Sequence, residues 1–129
     1  MLSENQVVRA RSAARKAVES TYEGVCDIIE YGNVKDKKSK ISRREEIVAG
    51  SALPCRLSFE NIAAAVQTDT GAAVSQGVKL FIAPEIEIKS GSKIVVTQNG
   101  ATTMYSASGQ PAVYGTHQEI MLALWKEWA

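Results

Sequence analysis

Histidine occurs once, cysteine twice and proline three times in the 129 residues of this chain. His117 with Cys26 and Cys55 is too small a donor set for zinc, and THQE lacks the second histidine of a metal motif. Two cysteines in a chain that reads as cytosolic at synthesis predict small buried hydrophobes rather than a disulfide. No run of about 18 apolar residues is present to cross a membrane as a helix. The opening MLSENQVVRARSAARKAVES also lacks the apolar centre of a secretion signal. Charge of one sign is missing too, because a formal net charge of +1 argues neither for nor against a polyanionic partner.

Catalytic constellations are equally scarce. No serine, cysteine or carboxylate pattern around His117 marks a nucleophile, so it reads as a structural hydrogen-bonding residue. Gly91-Ser92-Lys93 lacks the spacing of a phosphate loop. Glu85 and Glu87, two apart on one solvated strand face, read as charge patterning and not as an acid/base pair. The expectation is a chain that is not an enzyme and uses no cofactor.

What is present is period-two alternation. Val78 to Thr97, VKLFIAPEIEIKSGSKIVVT, alternates apolar and polar residues, is broken once by Pro84 and turns at Ser90-Gly91-Ser92. That pattern predicts a hairpin around which the other strands assemble, since two strands alone do not hold in water. Leu53 to Glu60 alternates most clearly: Leu53, Cys55, Leu57 and Phe59 share one face of a half-buried strand. Tyr22 to Tyr31 reads as the first strand, with Gly24 marking a bulge or a close backbone approach. Gln98-Asn99-Gly100 is a turn, Thr102 to Ser106 a strand, and Ser108 to Pro111 another turn. Glu119 to Trp125 is a strand apolar on both faces, although a terminal helix fits the same residues.

Ser3 to Ser20 reads as a helix with a Ser3/Gln6 capping box. Its apolar stripe (Val7, Ala10, Ala14, Ala17 and Val18) is thin, so it is either an arm packed lightly on the β domain or a docking element. The length suits one domain over residues 1–129. Residues 1–20 form the helical arm, and residues 21–129 a mainly β unit, a small antiparallel barrel or sandwich, with loops at 32–47 and 61–77.

Two of the connections attract attention. Gly32 to Arg44 carries Lys35, Lys37, Lys38, Lys40, Arg43 and Arg44, opposed by Asp36, Glu45 and Glu46. It reads as a solvated loop or as a contact to DNA or a partner, without interleaved aromatics for base stacking. Asn61 to Gly77 holds small residues and almost no charge. An unstructured stretch of that length inside a small domain suggests a working loop. Trp125 and Trp128 leave apolar surface for an oligomer or partner interface.

Several of these blocks, in this order, resemble the head-closure (head–tail joining, or stopper) proteins of tailed bacteriophages, including those of PBSX-like defective prophages. They are YEGVCDIIEYG (Tyr22 to Gly32), LPCRLSFE (Leu53 to Glu60), IEIKSGSKIVVTQNG (Ile86 to Gly100) and SGQPAVYGTHQEIML (Ser108 to Leu122). The likeness spans Tyr22 to Trp125 and omits the N-terminal helix. It implies a barrel that assembles with itself as a ring, twelvefold in the family, beneath the portal–adaptor complex. Such a ring retains packaged double-stranded DNA and offers the surface to which tail proteins attach.

By strand order the channel-closing loop of that family corresponds to Asn61, Ile62, Gln67, Thr68, Asp69, Thr70, Gly71, Gln76 and Gly77. The implied location is the host bacterial cytoplasm during assembly and then the virion neck, with no membrane involved. Two alternatives stand beside it. One is another neck ring protein (tail terminator or adaptor); the other is a small nucleic-acid-binding β-barrel using Lys35 to Arg44.

Overall fold

The computed structural model describes residues 3–35, 38, 41–68 and 71–129, and of residues 61–76 the backbone alone. One helix, α1 (Glu4–Glu19), precedes six strands. These are β1 (Gly24–Lys35), β2 (Ser42–Thr68), β3 (Gly71–Ile82), β4 (Lys93–Gln98), β5 (Ala101–Val113) and β6 (Gln118–Leu124). The strands close into an antiparallel barrel in the order β1-β2-β3-β6-β5-β4. The mainly β expectation holds, and of its two forms the barrel is the one adopted.

Alternation builds the interior. Cys26 and Ile28 of β1, Cys55 and Leu57 of β2, Leu80 and Ile82 of β3 and Ile94 and Val96 of β4 all point inward, joined by Tyr105, Ala107, Ile120 and Leu122. Both cysteines are buried and free. A hydrogen bond with Cys55, together with burial, pushes the Cys26 thiol far up, so it stays protonated. Phe59 has the inward parity but lies past the barrel mouth and is half exposed.

Local signals fix the joints. Asn99 and Gly100, at φ 52° and 77°, make the two-residue turn between β4 and β5, where Gln98 faces Ala101. At Gly24 an added Cβ would lie 3.0 Å from the Thr97 carbonyl oxygen, the close approach that its place in the strand suggested. Where the β1–β2 register shifts between Cys26 and Ile28, the Ala52 amide donates to Asp27 Oδ1 at 2.8 Å, and Ala52 takes φ 52°.

The expected hairpin over Val78 to Thr97 is not formed. β3 lies between β2 and β6, while β4 lies between β1 and β5. Ala83 to Ser92 is instead a crossing loop over one end of the barrel. Pro84 starts it by ending the ladder. Ile88 plugs inward, and buried Gln118 donates to the Ala83 and Ile86 carbonyls at 2.8 and 2.5 Å. Glu85 and Glu87 therefore sit on a loop and not on a strand.

Other boundaries move as well. β5 runs through Ser108 to Pro111, where a turn was expected, because a bulge with Gly109 at φ 75° absorbs the extra residues. The terminal segment is strand β6 and not a helix, with Ile120 and Leu122 buried and Leu124 exposed.

Helix α1 has its capping box: Ser3 Oγ accepts from the Gln6 amide at 3.2 Å, and Gln6 Oε1 accepts from the Ser3 amide at 2.9 Å. No residue of the helix is buried. Its link to the barrel is Arg15, which pairs with Glu19 at 2.6 Å and with Glu85 of the crossing loop. Among the described residues no helix is long and apolar enough to cross a membrane.

Candidate functional site

Strand β2 is the spine of the molecule. Its first half, Ser42 to Cys55, pairs with β1, and its second half, Cys55 to Thr68, pairs with β3. Both partners run beyond the rest of the barrel. β4 stops pairing with β1 at Ile29, and β6 stops pairing with β3 at Val78. What remains at each end is a two-stranded ribbon, and because β2 belongs to both, the ribbons project in opposite directions.

The far ribbon is the segment expected to be a loop. Asn61 faces Gln76, Ile62 faces Ser75, Gln67 faces Ala72 and Thr68 faces Gly71, with Glu60 and Gly77 at the root. Asp69 and Thr70 lie outside the described residues. Eight residues of extended chain span about 25 Å. The ladder of cross-strand backbone bonds makes strands of this stretch, although its alanines and threonines carry no period. A ribbon without a third strand is marginal in water.

The near ribbon pairs Glu30 to Lys35 with Ser42 to Ile47. It replaces most of the loop expected at 32–47, since Val34 and Ile47 continue the strands across their charged neighbours. Among the basic candidates, Arg43 Nε lies 3.5 Å from Glu45 Oε2, and the Arg44 guanidinium lies 4.8 Å over the Tyr31 ring. Lys35 is exposed at the strand end, and Lys38 is exposed in the turn. Lys37 and Lys40 lie outside the described residues.

The two tryptophans close a clasp against the root of this ribbon. Trp125 continues the sheet, its amide donating to the Met104 carbonyl at 3.1 Å. Trp128 meets Trp125 edge-on at 4.5 Å and stacks on Tyr31 at 5.1 Å. Lys93 Nζ lies 5.0 and 5.8 Å from the two rings and 2.8 Å from Glu46 Oε1, which also accepts from Trp128 Nε1 at 3.3 Å. The hydrogen bonds from Lys93 and then Trp128 hold the Glu46 carboxyl below its usual range. Each residue expected to leave free apolar surface is thus partly used within the chain.

The opposite wall, made by β2, β3 and β6, holds a cluster that no sequence pattern announced. His117 Nδ1 bonds the Thr116 hydroxyl at 2.8 Å, and Nε2 bonds Glu119 Oε2 at 3.2 Å. The imidazole packs on Tyr114 at 5.1 Å and on Phe81 at 5.4 Å, as its expected structural role requires. Lys79 Nζ reaches Glu119 Oε1 at 3.2 Å. Burial opposes the Glu119 carboxylate, but His117 and Lys79 outweigh it and its pKa is lowered.

Beside this network a groove of about 370 Å³ opens under the end of α1, lined by Ala17, Val18, Tyr22, Arg56, Phe81 and His117. Arg56 lies 5.6 Å over Phe81. Ala17 and Val18 come from α1, Tyr22 from the segment after it and His117 from just before β6, while Arg56 and Phe81 face each other across the β2–β3 ladder. Among the described residues, no three His, Cys, Asp or Glu side chains converge as metal ligands would.

The features together define a small closed β-barrel with a ribbon at either end and contact residues on two opposed walls. No family model matches the chain, and no curated protein matches it. Among solved structures it is similar to the phage-like element PBSX protein xkdH from Bacillus subtilis. That likeness has 12% identity and a TM-score of 0.49, covering 81% of this chain and 96% of that one.

Proposed function

We propose that this chain is a structural protein of the neck of a tailed phage or prophage, a head-closure protein whose copies encircle the DNA exit beneath the portal–adaptor. It acts without turnover. The far ribbons of neighbouring copies converge toward the axis and hold packaged double-stranded DNA in the filled head, and the opposite end of the ring receives tail proteins. Assembly takes place in the host cytoplasm, and the final location is the virion neck.

The observation that carries the proposal is the far ribbon, Glu60 to Gly77. Small side chains suit a crowded axis where many copies meet, and a pair of strands too weak to stand alone gains support from neighbouring copies. The sequence blocks that resemble those of head-closure proteins add support. They fall on β1, on β2, on the crossing loop with β4, and on the segment entering β6. A mainly helical adaptor does not fit a barrel of six strands. A DNA-binding role for Arg43 and Arg44 is disfavoured because Glu45 and Tyr31 already engage them.

The test is to shorten the ribbon, replacing residues 64–73 with an Asn-Gly turn so that the Ala63–Val74 pair becomes the new tip. Heads carrying this variant are expected to acquire the ring and then lose their DNA. Full DNA retention with normal tail attachment would overturn the proposal.

A further inference from the structure

In a six-stranded barrel, β4 lies across the interior from β3, about 180° around the wall. Both outer walls carry large apolar side chains that face solvent in the isolated chain. Met104 (50% exposed) flanks the tryptophan clasp on the β1–β4–β5 wall, with Val25 (45%) exposed further along β1, and Tyr114 (52%) and Met121 (41%) are exposed on the β2–β3–β6 wall. Each wall also has an unmatched charge. Arg56 is half-buried in the groove wall, and its described contact is the Phe81 ring, with no carboxylate among the described residues. A partly covered guanidinium without a carboxylate can accept an anion from another surface. On the other wall Glu127, between the two tryptophans in sequence, is exposed and has no described cation partner.

We propose that the groove under α1 receives the tryptophan clasp of a second copy of this chain, with Glu127 of one copy paired to Arg56 of the next. The contact is head-to-tail, because its two halves are different surfaces of one subunit. Its geometry suits a large ring. The two contact faces of a subunit in a ring of twelve stand about 150° apart, close to the separation of opposed barrel walls. The far ribbon carries none of the clasp residues, whereas the root of the near ribbon, Tyr31 and Glu46, is part of the clasp. This inference deepens the ring reading above and rests on it.

A charge exchange tests it. Rings are counted by mass photometry for the wild-type chain, alone and on portal–adaptor complexes, and for Arg56→Glu, Glu127→Arg and the double variant. Glu127 is fully on the surface, so its reversal leaves folding intact, and circular dichroism checks Arg56→Glu. Each single reversal is expected to reduce ring formation at least about tenfold, and the double variant to restore it. Rings that form normally with both single variants would overturn this contact and leave the ring reading standing. Failure of the wild-type chain to form rings in either setting would overturn both.

Discussion

Trp128 lies nearly parallel to Tyr31, with planes 11° apart and ring centroids separated by 5.1 Å. The pair ties the last residues of the chain to the first strand, at the point where β1 leaves the support of β4. Trp128→Ala removes the stack, the edge contact with Trp125 and the bond to Glu46. A loss of about 1–2 kcal/mol is expected from urea unfolding. Hydrogen exchange should quicken in residues 30–35 and 42–47 while the amides of β3 and β6 hold their protection. Trp128→Phe keeps the stack and should lose less than half as much.

Acid should loosen both walls. The Glu46 and Glu119 carboxyls are both lowered on folding, the first by Lys93 and Trp128, the second by His117 and Lys79 against the opposing effect of burial. A carboxyl that binds its proton more weakly when folded adds stability that is complete above the unfolded value, about 4.3. That contribution disappears as pH falls through the lowered folded value. Urea midpoints should therefore be flat from pH 7 to about 5 and decline below about 4.3. Glu46→Gln should make the decline shallower.

The bulge at Ala52 offers a gain. A non-glycine residue at φ 52° carries strain that glycine does not, of about 1–2 kcal/mol before the greater freedom of the unfolded glycine is subtracted. Ala52→Gly should raise stability by about 0.5–1 kcal/mol. Asp27→Ala leaves the Ala52 amide without its acceptor and should cost about 1 kcal/mol. Thermal unfolding of the two variants should shift in opposite directions.

The hydroxyl of Tyr22 is buried and has no hydrogen-bond partner among the described residues. Burial, followed by the charge of Glu19, pushes its pKa up. Tyr22→Phe removes an unsatisfied polar atom and keeps the ring under α1. It should be neutral or stabilising by up to about 1 kcal/mol, read as an unchanged or higher urea midpoint.

Much of this barrel could be read from local chemistry. Leu53, Cys55 and Leu57 announce β2, Ser3 and Gln6 announce the helix start, and Asn99-Gly100 announces its turn. The crossing loop was misread because a segment capping a barrel end also alternates: Ile86 and Ile88 turn toward the core while Glu85 and Glu87 face water. The far ribbon was missed for the opposite reason. Its strands are defined by backbone pairing with each other, and its run of alanines and threonines carries no periodicity to mark them. The groove holding Arg56, Phe81 and His117 has no local signature, because its residues are 25 and 36 positions apart in the chain and meet only through the β2–β3 and β3–β6 pairings.

Because one continuous strand reaches both tips, it has no freedom to slide. A one-residue slip of β2 would turn Cys55 and Leu57 toward solvent and empty the interior. The two ribbons are thus held in fixed register to one another through a single strand.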